Sequence, residues 1–187
     1  MASLKTSKRA LLVIDMQEHF RSMGEKLIPQ LKSIIEECRL KKGPIIFTQP
    51  GHKDVELDSG VLGEFWGHER MIRYGSEDWK LLSELRTHIK DDDVLIDEKR
   101  RYDAFFNTRL EDVLRRFGVD TVIISGVMTN LCCETTARSA FIHDFKVIFL
   151  SDGTATESKE MHDATLMNIA FGFGKVISCA ELIENLK

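Results

Sequence analysis

The sequence predicts a doubly wound α/β fold, a three-layer sandwich in which helices cover both faces of a mainly parallel sheet. Short, continuous apolar runs alternate with amphipathic segments along the chain, and strands covered on both faces are expected to be apolar throughout. The chain has 187 residues, which is about the length of one ordinary domain. We therefore expect residues 1–187 to form a single domain.

Six apolar runs are predicted to be strands, with right-handed crossovers between them. In chain order they are Ala10–Ile14, Pro44–Thr48, Val94–Ile96, Thr121–Ser125, Lys146–Leu150 and Val176–Ser178. Two of the intervening segments carry apolar residues at i, i+3, i+4 and i+7, from Leu31 and from Leu110, which predicts amphipathic helices; Gly118 ends the second. Further helices are expected at about 130–143, at about 159–170 and after Cys179.

The composition is that of a globular protein from a reducing compartment. A hydrophobic content of 43% with 30% charged residues is too apolar for a disordered chain. The formal net charge of −4 excludes a generally basic, nucleic-acid-binding surface. The four cysteines are too few and too scattered for a disulfide scaffold, and no apolar run approaches the ~20 residues of a membrane helix. We therefore expect a cytoplasmic protein with neither nucleic-acid nor membrane partners, and a short solvated arm at residues 1–9.

The segment 50–77 interrupts the alternation of strands and helices. It has no clean period, and it contains five glycines together with Phe65 and Trp66. A connection of this length in a compact domain is usually functional or disordered. The adjacent aromatic residues favour a packed lid or pocket wall over disorder.

Several chemically useful side chains follow the predicted strands. Asp15 ends the first strand, Lys99 follows the third, the segment 126–132 follows the fourth, and Asp152 follows the fifth. In open α/β sheets the ligand site lies beyond the carboxyl ends of the strands. An aspartate at the end of an apolar strand is costly to bury unless it is paired. Lys99 and a nearby thiol are suitable partners for Asp15.

Cys132 is the candidate nucleophile. It falls in the first turn of a predicted helix, where the helix dipole favours a thiolate. Considered alone, it would more simply be a buried structural thiol. An acid, a cation and a thiol at one sheet edge, however, are the parts of cysteine-based acyl transfer. Cys133 is rotated about 100° around the helix axis and is expected to face the core.

Three segments resemble the isochorismatase-like cysteine hydrolases, which include nicotinamidases, N-carbamoylsarcosine amidohydrolases, ureidoacrylate amidohydrolases and isochorismatases. They are Arg9–Gln17 (RALLVIDMQ), Lys99–Phe105 (KRRYDAF) and Gly126–Cys132 (GVMTNLC). The last is the most specific, and the run Gly126–Ala137, which includes Cys132–Thr136, looks most like plant-type nicotinamidases. The resemblance implies the strand order 3-2-1-4-5-6 and a homo-oligomer, either a dimer or a tetramer.

The resemblance also implies residue roles. Asp15 matches the general base of the family, Lys99 its catalytic lysine and Cys132 its nucleophile. The peptide bond between Val127 and Met128 is expected to be cis, and the backbone amides of Met128 and Cys132 would form the oxyanion hole. These roles imply hydrolysis of a small carboxamide through a thioester.

The expected metal motif of the family is incomplete. Metal-dependent nicotinamidases carry an Asp-x-His pair after the second strand, whereas this chain reads Pro50-Gly51-His52. Trp66 is in place, but His68 and Glu69 make only a partial site. Two imidazoles and a carboxylate can bind zinc, yet the missing acidic ligand favours a protein without a cofactor or metal. His52 is then expected to contact substrate.

Aromatic residues near the sheet edge are the other candidates for substrate contact, although such residues are as often plain core. With His52, the predicted substrate-binding residues are Phe20, Trp66, Tyr102 and Phe105. A structural role is predicted for Asp152. His162 and Asp163 are expected on a solvated helix surface.

The leading functional hypothesis is conversion of nicotinamide to nicotinate and ammonia, with a small amide as the molecular partner. An isochorismatase-type vinyl-ether hydrolase, led by Asp15, is one alternative, although that reaction needs no thiol. A catalytically inactive member of the family that acts as a binding protein is the other.

Overall fold

The computed structural model describes residues 8–186. The six strands are β1 Arg9–Ile14, β2 Ile45–Thr48, β3 Val94–Ile96, β4 Thr121–Val127, β5 Lys146–Ala155 and β6 Lys175–Ile177. They form one sheet in the order β3-β2-β1-β4-β5-β6, and every neighbouring pair is parallel. The predicted fold class and strand order are confirmed. Residues 1–7 of the predicted solvated arm lie outside the described residues.

The helices fill the connections between these strands. The α-helices are α1 Arg21–Gly24, α2 Ile28–Leu40, α3 Val55–Asp58, α4 Val61–Trp66, α5 Ser83–Arg86, α6 Leu110–Arg116, α7 Glu134–Ile142, α8 Lys159–Gly172 and α9 Cys179–Leu186. Shorter turns are the 3₁₀ segments Glu18–Phe20, Glu25–Leu27 and His68–Arg70, and the π-helical turn Thr129–Cys133. Among the described residues, none of these helices combines the length and the apolar character that crossing a membrane requires.

The central strand β1 separates two apolar layers. Its side chains alternate between the faces of the sheet, so Leu11 and Val13 pack with α2 and α9, while Leu12 and Ile14 pack with α6, α7 and α8. All four side chains are fully buried. Burial on both faces explains why the strand is apolar without a break.

Two strands are longer than the sequence predicts. β4 continues past Ser125 to Val127, and β5 continues past Leu150 to Ala155. The register between them shifts after Ile124 and pairing then resumes. Polar residues interrupt the apolar run of β5 at this shift, so hydropathy alone ended the strand too early.

The start of the helix predicted at about residue 130 also differs. A π-helical turn over Thr129–Cys133 precedes α7, which begins at Glu134. The amide of Cys133 donates to the carbonyl of Met128 at 3.1 Å, a separation of five residues along the chain. Turns of this kind occur often at functional sites.

The segment 50–77 is folded against the sheet edge. It contains the short helices α3 and α4 and one 3₁₀ turn. Asp54 caps α3 by accepting a hydrogen bond from the amide of Leu57 at 3.3 Å. Phe65 is exposed, whereas the indole of Trp66 lies against Tyr102. The expected wall therefore exists, with one of its two aromatic residues turned outward.

Candidate active site

Asp15 lies at the end of β1, with both carboxylate oxygens in hydrogen bonds. Oδ2 accepts a hydrogen bond from Nζ of Lys99 at 2.6 Å, and Oδ1 accepts a short one from the hydroxyl of Thr48. The amide of Asp15 in turn donates to the Thr48 hydroxyl oxygen at 3.0 Å. Thr48 ends β2, so two adjacent strand ends hold this carboxylate in place.

Lys99 is the charge partner that allows the Asp15 carboxylate to be buried. Both side chains are 1% exposed. Burial alone would lower the pKa of Lys99, but the Asp15 carboxylate and the Cys132 sulfur raise it above its usual value. The ammonium is therefore retained in the interior. A buried charge of this kind is tolerated only because it is paired and hydrogen-bonded.

Cys132 reaches the same buried pair from the π-helical turn. It is 8% exposed, and its sulfur interacts with both Asp15 and Lys99. Burial, followed by the Asp15 carboxylate, raises the pKa of the thiol to about 12, against the opposing effect of Lys99. The expectation that the helix start favours a thiolate is thus wrong for the resting protein, in which desolvation dominates.

The turn that carries Cys132 comes close to β1 because of Gly126. This glycine has φ +108°, and a Cβ at this position would lie 2.0 Å from the carbonyl oxygen of Ile14. No residue with a side chain fits there. The peptide bond between Val127 and Met128 is cis, as the resemblance implied.

Two backbone amides of the turn donate to the same carbonyl. The carbonyl of Met128 accepts hydrogen bonds from the amides of Leu131 and Cys133. Cys133 is fully buried, and its sulfur lies 3.9 Å from the carbonyl oxygen of Ser125, so it faces the core as predicted. The assignment of the Met128 and Cys132 amides to an oxyanion hole stays a prediction.

A cavity of about 360 Å³ opens above the three candidate catalytic side chains. Of the sequence-predicted site residues, those that line it are Asp15, Phe20, His52, Trp66, Lys99, Tyr102, Met128 and Cys132. Phe105 is not among them. Phe105 is only 7% exposed, and its ring stacks on the ring of His143 with the ring centroids 5.0 Å apart. The structure therefore places Phe105 in the core, and its prediction as a substrate contact is corrected.

A hydrogen bond links two aromatic residues of the outer wall of the cavity. The indole Nε1 of Trp66 donates to the hydroxyl of Tyr102 at 2.5 Å. Trp66 belongs to α4 and Tyr102 to the segment after β3. The bond thus joins the 50–77 segment to the segment that carries Lys99.

His52 lines the cavity with one ring nitrogen already engaged. Its Nδ1 lies 2.7 Å from Oδ1 of Asp58, and since a carboxylate only accepts, Nδ1 carries the proton. Burial lowers the pKa of His52, against the opposing effect of Asp58. A neutral imidazole at the cavity wall is therefore the resting form at neutral pH.

The residues around His52 do not fit a metal centre. The position that would supply the acidic ligand is Pro50, and His68 is instead paired with Glu56 at 3.2 Å. Within residues 8–186, no three His, Cys, Asp or Glu side chains converge in a way that could hold an ion.

Two polar residues were missed or misjudged from sequence. Thr48 contacts Asp15, and its place at the end of the second strand was the available signal. His162 was expected to be solvated, but its ring nitrogens lie 3.0 Å from the Thr129 hydroxyl and 2.9 Å from the Ser151 carbonyl oxygen. Asp152 accepts a hydrogen bond from a backbone amide of α9 at 2.6 Å, which agrees with its predicted structural role.

Comparison with known proteins identifies the family. The isochorismatase domain matches residues 9–181. Nicotinamidase 3 of Arabidopsis thaliana is 46% identical over 177 residues, which covers 95% of this chain and 88% of the relative. Enterobactin synthase component B of Escherichia coli K12 is 30% identical over 188 residues, which covers 97% of this chain and 64% of that protein. A solved cysteine hydrolase from Pseudomonas syringae pv. phaseolicola 1448A superposes with a TM-score of 0.88 at 27% identity, covering 100% of this chain and 94% of that one.

The chain belongs to the isochorismatase family. It is a hydrolase, and the nicotinamidase relative supports an amidohydrolase that acts on C–N bonds. The recognition of the family from the three sequence motifs is confirmed.

Proposed function

We propose that this protein hydrolyses a small carboxamide through a thioester on Cys132, with nicotinamide as the leading substrate. The observation that carries the proposal is that Cys132 and the buried ion pair of Asp15 and Lys99 line one cavity, where both charged groups shift the pKa of the thiol. The similarity to a protein named nicotinamidase supports the choice of substrate.

The first step is proton transfer from Cys132 to Asp15. The raised pKa of the thiol keeps it protonated at neutral pH, so a base beside it is required for attack. Asp15 becomes neutral as the thiolate forms, and Lys99 remains positive. The net charge of the three groups is unchanged, and the ammonium of Lys99 then faces the thiolate instead of the carboxylate.

The thiolate next attacks the amide carbon. The new Sγ–C bond displaces the carbonyl π electrons onto oxygen, and the amides of Met128 and Cys132 hold the resulting oxyanion. One such donor can lower a barrier by ~3–4 kcal/mol. The C–N bond then breaks, the proton held by Asp15 passes to nitrogen, and ammonia leaves.

Hydrolysis of the thioester completes the cycle. Asp15, again a carboxylate, takes a proton from water as the water oxygen attacks the thioester carbon. The C–Sγ bond breaks, and the proton returns to Cys132 from Asp15. The acid product leaves and the thiol of Cys132 is regenerated, and the steps require no oxidant, reductant or metal.

The cavity wall supplies substrate selection in this scheme. Phe20, Trp66 and Tyr102 offer apolar faces to a planar ring, and His52 offers a polar edge. A volume of about 360 Å³ suits a single-ring amide. Arg70 also lines this cavity, which places a cation near an acid product.

The two alternatives are separated by a panel assay. Ammonia release is measured on nicotinamide, benzamide, pyrazinamide and short aliphatic amides, and pyruvate release is measured on isochorismate, because the chain shares the isochorismatase domain. Ammonia release that Cys132→Ala abolishes supports the proposal. Pyruvate release that survives Cys132→Ala favours the vinyl-ether reaction, and silence across the panel with an unreactive thiol favours a binding protein.

Location and assembly are part of the proposal. We place the enzyme in the cytoplasm because all four cysteines are free thiols and a reducing compartment protects them. We also propose a homodimer or homotetramer, since Ile142 and Phe171 are 74% and 96% exposed and large exposed apolar side chains often mark contact surfaces. Light scattering coupled to size exclusion measures the mass, and a monomer would contradict this part.

A further inference from the structure

We propose that His162 is a positioning residue for the turn that carries the nucleophile, acting through the hydroxyl of Thr129. The inference rests on the proposed function, because it concerns the geometry of the oxyanion hole in that reaction. His162 lies on α8, and Thr129 begins the π-helical turn.

The hydrogen bonds of His162 define its tautomer. Nε2 lies 2.9 Å from the carbonyl oxygen of Ser151, and a carbonyl can only accept, so Nε2 carries a proton. In the neutral ring, Nδ1 is then a lone pair. It lies 3.0 Å from Oγ1 of Thr129, and the Thr129 hydroxyl therefore donates to it. The ring therefore donates to the Ser151 carbonyl and accepts from the Thr129 hydroxyl.

Thr129 lies next to one of the predicted oxyanion donors. It is fully buried and directly follows Met128, whose amide is one predicted oxyanion donor. Removing the acceptor on His162 leaves a buried hydroxyl unpaired, which is costly enough for the turn to shift and repair it. A shift of even ~1 Å in a positioning element can cost large factors in rate.

Two further bonds tie the turn, and the first residue of α7 directly after it, to the same side of the molecule. The amide oxygen of Asn130 accepts from the hydroxyl of Thr156 at 2.6 Å, and a Glu134 carboxylate oxygen accepts from the hydroxyl of Thr165 at 2.6 Å. These ties limit the turn to a local shift when the His162 contact is lost. We therefore expect a catalytic defect in a protein that remains folded.

The test uses matched variants on both sides of the bond. His162→Gln keeps one donor and one acceptor about as far apart as the two ring nitrogens, while His162→Leu keeps only bulk. Thr129→Ser keeps the hydroxyl, while Thr129→Val removes it. The double variant His162→Leu with Thr129→Val closes a mutant cycle. Each is assayed on the best amide of the panel for kcat, KM and thermal midpoint.

Alkylation of Cys132 by iodoacetamide, followed on its peptide by mass spectrometry, is the second readout. That displacement forms an S–C bond and releases iodide without any oxyanion, so it reports on the thiol but not on the oxyanion hole. We expect kcat to fall about tenfold in His162→Leu and in Thr129→Val. This effect is smaller than the fall in kcat of about 10²–10³-fold that follows removal of an oxyanion donor itself. KM and the alkylation rate should stay within about twofold, and the double variant should be no worse than either single one.

Three outcomes would overturn the inference in an active enzyme. The first is an unchanged kcat in both His162→Leu and Thr129→Val. The second is a set of kcat losses that multiply in the double variant. The third is a loss of kcat in His162→Gln and Thr129→Ser that is as severe as in His162→Leu and Thr129→Val. If wild type releases no ammonia from any amide, the proposed function fails instead, and the two failures are thereby distinguished. Should His162→Leu not fold, Thr129→Val and Thr129→Ser decide alone.

Discussion

Lys99 donates a 2.6 Å hydrogen bond to Asp15 across 84 positions of the chain, and each of the two side chains is 1% exposed. The pair therefore joins the segment after β3 to the end of β1 inside the protein. Its charges are compensated by each other and, for Asp15, by the Thr48 hydroxyl. The same contact that permits both charges to be buried also presents them to Cys132.

Loss of one member of this pair should reduce stability as well as activity. Lys99→Met leaves the Asp15 carboxylate without its cation, and breaking a buried pair in this way costs ~3–5 kcal/mol. The free energy of unfolding, measured by urea denaturation, should fall by about that amount. Lys159→Met is the matched control, because its pair with Asp163 is exposed, and it should leave stability unchanged. Equal stability of the two variants would contradict the role given to the buried pair.

The two adjacent cysteines should behave in opposite ways. Cys132→Ala removes the proposed nucleophile and should abolish ammonia release, with the circular dichroism spectrum unchanged. Cys133→Ala removes a sulfur that faces the core, and it should retain most of the turnover with a modest loss of stability. Ammonia release is followed by a coupled assay. Undiminished turnover in Cys132→Ala would refute the thioester mechanism.

The buried thiol of Cys38 should make the protein less stable at alkaline pH. Burial raises its pKa to about 12, whereas an unfolded chain ionises this group at about pH 8.5. The contribution of the protonated thiol is therefore fully present below about pH 8.5 and is lost as pH rises toward about 12. Between these values the free energy of unfolding should fall by up to ~1.4 kcal/mol per pH unit for this group.

Comparison with Cys38→Ala isolates this effect. Urea denaturation at a series of pH values above about 8.5 gives the slope for each protein, and the slope of the variant should be shallower. Cys132, Cys133, Cys179 and Lys99 contribute to the slope in both proteins, so only the difference is informative. Parallel slopes would mean that the Cys38 thiol ionises normally in the folded state.

The contact between Trp66 and Tyr102 should affect binding more than chemistry. Tyr102→Phe removes the hydroxyl that accepts the indole hydrogen bond at 2.5 Å, which loosens the cavity wall while leaving the catalytic groups in place. We expect KM to rise severalfold with kcat little changed, the pattern of a lost ground-state contact. Tyr74→Phe is the control, since Tyr74 bonds to Asp97 outside the cavity. A fall in kcat alone would place Tyr102 in the chemistry instead.

Removal of metal should leave the amidase active. No step of the proposed mechanism uses an ion, and the position of the acidic ligand is Pro50. Dialysis against a chelator should therefore change neither kcat nor KM, and metal analysis of the purified protein should find less than one ion per chain. Activity that is lost with the chelator and restored by zinc would assign His52 to a metal site.

The features predictable from sequence are those that depend on local pattern. Continuous apolar runs located β1 to β6, because burial on both sheet faces demands them, and the strand ends then brought Asp15, Lys99 and Cys132 to one edge. The contacts of Phe105 and His162 could not be predicted in this way. Both depend on how α7 and α8 pack against the sheet, and packing angles leave no signature in a single sequence.

The ionisation of Cys132 shows a different limit of sequence reasoning. A position near a helix start predicts a thiolate, but the burial of the sulfur and the nearness of a carboxylate reverse that effect. Solvent exposure is a property of the assembled molecule. The motif was enough to propose Cys132 as the nucleophile, whereas the protonation state of its thiol could not be predicted from the motif.

The close approach of Gly126 to Ile14 has a consequence for how such an enzyme can diversify. A backbone-to-backbone contact sets the spacing between the proposed base and the turn of the proposed nucleophile, and that spacing has no side chain through which mutation could adjust it gradually. The segment 50–77, by contrast, contributes side chains to the cavity but none of the three proposed catalytic groups. The arrangement of the proposed catalytic groups is thus set by the sheet, whereas substrate specificity can change through substitutions in the segment 50–77.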